Sequence, residues 1–244
     1  MRTLCVIPAR YASTRLPGKP LADICGRPMI SRVYDRVKKA ERLDDVVVAT
    51  DDERIVEAVE KHGGKAIMTR KDHPTGTDRL AEVATRYADA ELIINVQGDE
   101  PLIAPSVIDG LVGAFDDDKE LSMATVMTEI TDEDEAKNPN NVKVVTDKNG
   151  YALYFSRSLL PYPRIAGKAK VHKHIGIYAY RRDFLLKYAK LAPTPLEEAE
   201  SLEQLRALEN GYKIKVIETK EKFVGVDTAE DLAKVNEIYS KMNL

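Results

Sequence analysis

Short apolar runs and amphipathic stretches alternate through the first half of the chain. Leu4-Cys5-Val6-Ile7, ended by Pro8, predicts a buried strand. From Pro28 to Arg42, Met29, Ile30, Val33 and Val37 recur at helical spacing. Val46-Val47-Val48-Ala49 predicts a second strand. Thr50 with Glu53 reads as a capping box, and Gly63-Gly64 as the end of that helix. Ala66–Met68 is a third strand. Thr75 or Thr77 can cap a helix carrying Leu80, Val83, Ala84 and Tyr87. Leu92–Val96 is a fourth strand, followed by a helix from Pro105 to Phe115. The strands are apolar throughout, as parallel strands covered on both faces are. The pattern predicts an α/β fold with a doubly wound, mainly parallel sheet.

The second half is more mixed. Strands are predicted at Ser122–Met127, Val142–Thr146, Tyr151–Phe155, Ile175–Tyr180 and Lys213–Ile217, with Lys148-Asn149-Gly150 turning a hairpin. Thr194-Pro195-Leu196-Glu197 starts a helix with a capping box and proline at its first position. A further helix follows Asp227-Thr228. With no repeat or Gly/Ser linker, the organisation reads as one continuous domain with an inserted β-rich subregion.

Composition narrows the class. The chain has 244 residues, 43% apolar and 32% charged, a globular balance. No apolar run approaches the roughly 18 residues of a spanning helix, and the start lacks a signal-peptide core. Cys5 and Cys25 form no CxxC pair, which excludes a disulfide framework and a zinc ribbon and points to a reducing cytoplasm. The net charge of −3 offers no global field for nucleic acid or an anionic membrane. That total conceals an asymmetry. Residues 1–40 carry nine Lys/Arg against two acids, and the remainder is net −10.

Part of the excess lies in one loop. Pro8 to Pro20 holds Arg10, Arg15 and Lys19 and no acid, with Ala12, Ser13 and Gly18 leaving the backbone approachable. It leaves the carboxyl end of the first strand, where open α/β sheets bind ligands. Three like charges in a short loop repel unless an anion sits among them, and a polyphosphate suits them. The loop is neither GxxxxGK[ST] nor GxGxxG, which counts against a P-loop NTPase and a dinucleotide-dependent dehydrogenase. Arg32, Arg36, Lys38 and Lys39 read as the solvated side of the next helix.

Residues 6–20, Val-Ile-Pro-Ala-Arg-Tyr-Ala-Ser-Thr-Arg-Leu-Pro-Gly-Lys-Pro, resemble the opening motif of the 3-deoxy-manno-octulosonate (Kdo) cytidylyltransferases. Further stretches agree in order. They are Ala49-Thr50-Asp51, Thr75 to Glu82, Asn95 to Pro101, Val142 to Val145, Tyr151 to Arg157, His174 to Tyr178, Leu202 to Arg206, and Gly225 to Thr228. The resemblance implies a Rossmann-like sheet of the nucleotide-diphospho-sugar transferase type, with an inserted region for sugar binding and dimerisation. It implies that CTP and Kdo give CMP-Kdo and diphosphate with Mg²⁺, for lipopolysaccharide synthesis. It also implies a cytoplasmic homodimer with no nucleic-acid or membrane partner. Residues 1–130 would mainly bind CTP, 131–218 mainly the sugar and the second protomer, and 219–244 would return with the second metal ligand.

Individual residues follow. Asp99, just beyond a buried strand, suits a hard cation bridging phosphates. The resemblance makes Asp99 and Asp227 the Mg²⁺ ligands and, with Lys19, the catalytic set. By its residues alone Asp227-Thr228-Ala229-Glu230 is equally a helix N-cap, so both roles stay open. Ala9, Arg10, Arg15, Lys19, Thr77, Arg79 and Gln97 are the nucleotide-binding candidates. Arg79 sits in the first turn of a helix, an unfavourable place for a cation unless it meets an anion or pairs with Asp78 or Glu82. Gln97, Arg157, His174, Tyr178, Glu203 and Gln204 are the sugar-binding candidates, Arg157 for the carboxylate and the others for hydroxyls. Glu203 and Arg206 can also simply pair with each other, and Leu202, Leu205 and Leu208 read as core. The basic stretch Pro161–Lys170 is shorter than expected of the family, and Arg164 and Lys168 receive no role. Other readings are a cytidylyltransferase for 8-amino-Kdo or sialic acid, a glycosyltransferase, and a non-catalytic nucleotide-binding module.

Overall fold

The computed structural model describes residues 1–13, 15–165 and 167–242. Thr14 of the opening motif, Ala166 of the basic stretch and residues 243 and 244 lie outside the described residues. The chain forms two compact units. One comprises Met1–Asp109 with the stretch from Lys222, the other Gly110–Glu221.

The first unit is built on four parallel strands in the order β3-β2-β1-β4. They are β1 (Thr3–Ala9), β2 (Asp45–Thr50), β3 (Ala66–Met68) and β4 (Leu92–Asn95). Cys5 pairs with Val46 on one side and Ile94 on the other. With both edges hydrogen-bonded and both faces covered, β1 has no polar position to spare, and Leu4 to Ile7 are essentially inaccessible. Each such side chain favours folding by about 1.5–3 kcal/mol.

Helices α1 (Met29–Val37), α2 (Glu53–Lys61) and α3 (Gly76–Arg86) follow the strands. In α1, Met29, Ile30, Val33, Tyr34 and Val37 are buried at helical spacing. It stops short of Arg42 because Lys39 and Ala40 bond back to Arg36 and Val37, tightening the last turn. Two caps differ from expectation. Asp52, not Thr50, caps α2, accepting from Arg54 N at 3.0 Å. For α9 (Ala229–Met242) the box is Thr228 with Asp231. Asp231 N donates to Thr228 Oγ1 at 3.2 Å, and Thr228 N donates to Asp231 Oδ2 at 3.0 Å. Asp227 is thereby excused from capping. Val235 and Tyr239 of α9 join Ile24, Met29 and Val226 in a buried cluster that anchors this helix.

The second unit begins at Gly110, within α4 (Pro105–Asp117), and continues through β5 (Met123–Ile130) and α5 (Glu133–Lys137). The hairpin strands β6 (Lys143–Thr146) and β7 (Ala152–Ser156) precede β8 (Val171–Arg181). Then come α6 (Arg182–Tyr188), α7 (Pro195–Glu200), α8 (Leu205–Glu209) and β9 (Ile214–Glu218). β5 runs antiparallel to β8 and parallel to β9, so this part is mixed while the first unit is wholly parallel. β8 starts four residues before the predicted Ile175, placing His174 inside a strand. Opposite it, the β5–β8 register shifts between Thr125 and Val126, a bulge that re-aims local side chains.

Candidate active site

The first unit brings the basic loop and the acidic strand end together. A cleft of about 350 Å³ is lined by Ala9, Arg10, Arg15, Lys19, Gln97 and Asp99, among others. Gly98 lets the chain pass closely there, since a Cβ would sit 2.9 Å from the Pro8 carbonyl. Gly18, at φ +68° immediately before Lys19, adopts the left-handed conformation that favours glycine.

Lys19 is the hub. Its ammonium donates to Asp99 Oδ2 at 2.6 Å and to Asp227 Oδ1 at 3.2 Å. Arg15 Nη2 donates to the same Asp227 oxygen at 3.0 Å. Burial works against the Lys19 charge, but the Asp99 and Asp227 carboxylates outweigh it and raise the pKa. Asp227 therefore faces the cleft cations, and the capping alternative is settled by Thr228 and Asp231.

Arg10 donates to the His73 carbonyl at 2.7 Å. Arg79 and Thr77 are buried in the first turn of α3 rather than on the cleft lining. The Arg79 guanidinium contacts Asp51 at 3.4 Å and donates to Thr69 Oγ1. Its expected neighbours are otherwise engaged, Asp78 in the Thr75 capping box and Glu82 with His73 and Arg86. Burial lowers the Arg79 pKa, and Arg79 Nε is enclosed without a hydrogen-bond partner.

The remaining candidates lie in the second unit. Arg157 Nε donates to the Glu200 carbonyl at 2.7 Å and Nη1 to the Pro139 carbonyl at 3.1 Å. The Glu200 carboxylate accepts from Ser156 Oγ and from Arg157 N. Beneath them sits Lys143, a residue quoted in a motif but given no role by sequence reasoning. It is fully buried, and its ammonium donates to the carbonyls of Arg157 at 2.6 Å and Asn138 at 3.0 Å. Burial lowers its pKa, the Arg157 charge adds to that, and Glu200 opposes it. Both side-chain cations are thus anchored on main-chain carbonyls, while the Glu200 carboxylate takes the Ser156 hydroxyl and the Arg157 backbone N–H. The available signal was a lysine inside the apolar run Val142–Val145.

His174 is enclosed by Phe155, at 4.9 Å between ring centroids, and Tyr178, at 5.5 Å. Burial drives its pKa down to about 3, so it is neutral at pH 7. Its Nε2 lies 2.9 Å from Thr125 Oγ1, whose one proton is best placed for the Ile177 carbonyl at 2.8 Å. The neutral ring offers one donor and one acceptor nitrogen, and the role taken at Nε2 toward Thr125 fixes the opposite role at Nδ1. Burial also raises the Tyr178 pKa, with Glu203 adding to it. Gln204 is buried with its Nε2 unpartnered. Arg206 pairs with Glu197, its Nε at 2.7 Å, rather than with Glu203. Leu202 and Leu205 are core as read, whereas Leu208 is half-buried.

Residues 4–216 match the cytidylyltransferase family. The chain is 55% identical to the 3-deoxy-manno-octulosonate cytidylyltransferase of Fusobacterium nucleatum, covering all of this chain and 99% of that one. This chain belongs to that family. The Geobacter metallireducens member is 52% identical over the whole of both chains. A solved CMP:2-keto-3-deoxy-manno-octonic acid synthetase complexed with CTP superposes with TM-score 0.95 at 49% identity. It covers 99% of this chain and all of its own. A Leptospira borgpetersenii cytidylyltransferase, at 16% identity and TM-score 0.63, shares the fold. The fold class and the nucleotidyltransferase class read from the sequence are both borne out.

The donor set of this cytidylyltransferase is compatible with a divalent ion. Two carboxylates converge on one cationic nitrogen, so the spot between them already holds positive charge. Among the described residues no group of three or more His, Cys, Asp or Glu side chains is gathered for a metal. Two carboxylates with the rest of the sphere left to phosphate oxygens and water is the habit of Mg²⁺.

Proposed function

We propose that the enzyme transfers the cytidylyl group of CTP to the anomeric hydroxyl of Kdo, forming CMP-Kdo and releasing diphosphate. The observation that carries this reading is the convergence of Asp99 and Asp227 on Lys19 at the mouth of an arginine-lined cleft. Such a cleft can receive a polyphosphate and a cation together, which a diphosphate-releasing transfer requires.

The chemistry is positional. The hydroxyl oxygen attacks the α-phosphorus as the bond to the β-phosphate oxygen breaks, and diphosphate leaves with that electron pair. Arg15 and Lys19 neutralise the triphosphate and the departing diphosphate. Asp99 and Asp227 would hold Mg²⁺, which when bound supplies charge neutralisation at the phosphates. Ala9, Arg10 and Gln97 line the nucleotide's bed. Arg79 and Thr77, buried at the start of α3, shape it from behind.

For the sugar acid, the Arg157 and Lys143 side chains are oriented by main-chain carbonyls, which do not cancel their charge and leave it for one carboxylate. The His174 ring and the unpartnered Gln204 Nε2 hydrogen-bond sugar hydroxyls. Tyr178 and Glu203 complete the set. The two free cysteines suit a reducing cytoplasm, and no described helix is long and apolar enough to cross a membrane. A homodimer completes the reading.

The test is diphosphate release with CTP, Mg²⁺ and a panel of Kdo, 8-amino-Kdo and sialic acid. Release with Kdo is expected. No release by well-folded protein overturns the reading, and release with another acid alone replaces its substrate.

A further inference from the structure

The first unit holds a second basic cleft, of about 360 Å³, that the reaction does not use. Arg27, Arg32, Arg36, Lys38 and Lys39 line it, with Asp35 as the one acid in its wall and Tyr239 of α9 beside them. Arg32, Arg36, Lys38 and Lys39 were read from the sequence as the solvated side of α1. Lys38 and Lys39 do sit at its C-terminal end, where the helix dipole welcomes cations. The arginines do something else.

Each guanidinium is fixed by main-chain carbonyls. Arg32 Nε donates to Ile24 O at 3.1 Å and its Nη2 to Cys25 O at 2.9 Å. Its guanidinium carbon lies 4.8 Å from the centroid of the Tyr239 ring. Arg36 Nε donates to Ile103 O at 2.9 Å. Arg27 Nη2 reaches His62 O at 3.2 Å and Asp35 at 3.0 Å, and its Nε is enclosed without a partner. Carbonyls orient a guanidinium but do not cancel its charge. Five cations against one carboxylate leave a surplus of four in a chain whose net charge is −3. The catalytic cleft answers Arg15 and Lys19 with Asp99 and Asp227. This one sets a single carboxylate, Asp35, against five cations, so an anion entering it meets little internal competition.

We infer that this cleft binds a small, multiply charged phosphoryl anion, such as a free di- or triphosphate group, separately from CTP at the catalytic cleft. Pre-set guanidinium groups match phosphate oxygens bidentately and lose little freedom on binding. The site also touches the catalytic frame. Tyr239 donates to the Pro101 carbonyl at 2.5 Å, two residues beyond Asp99, and belongs to the helix that follows Asp227.

The test is calorimetric titration of the full chain with inorganic triphosphate under EDTA. The wild type should bind two equivalents, Arg15→Ala/Lys19→Ala one, and Lys38→Glu/Lys39→Glu one. The last variant leaves every carbonyl-fixed arginine untouched and should keep its turnover of CTP and Kdo. Its affinity at the second site should fall at least tenfold. The inference is overturned if the wild type binds a single equivalent that Arg15→Ala/Lys19→Ala abolishes, or if a second equivalent survives Lys38→Glu/Lys39→Glu unchanged. Sedimentation with phosphatidylglycerol vesicles separates a lipid headgroup from a free anion. Vesicle binding that Lys38→Glu/Lys39→Glu abolishes, without triphosphate binding, overturns the soluble ligand.

Discussion

The two units hold their functional cations in opposite ways. In the first, Arg15 and Lys19 are matched by the carboxylates of Asp99 and Asp227, charge for charge. In the second, the Lys143 and Arg157 side chains are held by main-chain carbonyls, and the Glu200 carboxylate accepts from Ser156 Oγ and the Arg157 backbone N–H instead. The first arrangement is an exchangeable one. Its ion pairs can open to admit a cation and a polyanion together. The second is fixed by carbonyls that orient its cations without cancelling their charge, and on the proposed reading it receives a single negative charge. A nucleoside triphosphate with its metal and a monocarboxylate sugar have these two different requirements.

The comparison can be broken at its strongest point first. Asp227→Asn should lower kcat about a hundredfold or more. Its melting temperature should stay near wild type, because Thr228 and Asp231 cap α9. Diphosphate release at saturating substrates checks the first, thermal unfolding the second. A large fall in melting temperature would return Asp227 to a structural role. Lys19→Ala should reduce kcat/KM for CTP about a hundredfold, with the KM for Kdo little changed. An unaltered rate at subsaturating CTP would count against the phosphate loop.

Weaker effects sharpen the second half. Lys143→Met should raise the KM for Kdo about tenfold and leave the KM for CTP unchanged. Its pH dependence has a definite sign. The folded pKa of Lys143 is lowered, so between that value and the unfolded lysine value the unfolded state binds more protons. Stability attributable to Lys143 therefore rises with pH across that window, whereas affinity for Kdo falls as the ammonium is lost. Lys143→Arg should remove the alkaline fall. Lys19 runs the other way. Its contribution is full below the ordinary lysine pKa and fades as pH rises through its raised one. The smallest expected effect is an absence. With the His174 pKa near 3, the KM for Kdo should show no inflection around pH 6.5 from that residue. An inflection there that His174→Asn removes would mean that the histidine titrates in the complex.

Much of this was legible in residue order. β1, β2 and β4 announced themselves because strands covered on both faces have nothing polar to disguise them. The phosphate loop showed as three cations without an acid. Less local facts were hidden. Asp227 and Thr228 are both good caps, and only the backbone shows which one starts the helix. Arg79 reads as a ligand by its odd place in a first turn, while its actual neighbours, Asp51 and Thr69, come from other elements. Lys143 was visible in its strand, but its setting depends on the Asn138 and Arg157 carbonyls that receive its ammonium.

The separation of Asp227 from capping has a consequence for how the enzyme is made. Asp227 follows Asp99 by 128 residues in the chain. At translation rates of 5–20 residues per second, about 6–25 s pass between the two. Throughout that interval Lys19 has one carboxylate to answer, and the whole second unit is being laid down. The Lys19 cleft therefore acquires its second acid late, after the whole second unit has left the peptidyl-transferase centre. A nascent chain halted before that point carries the cationic loop with Asp99 but without Asp227 to answer it.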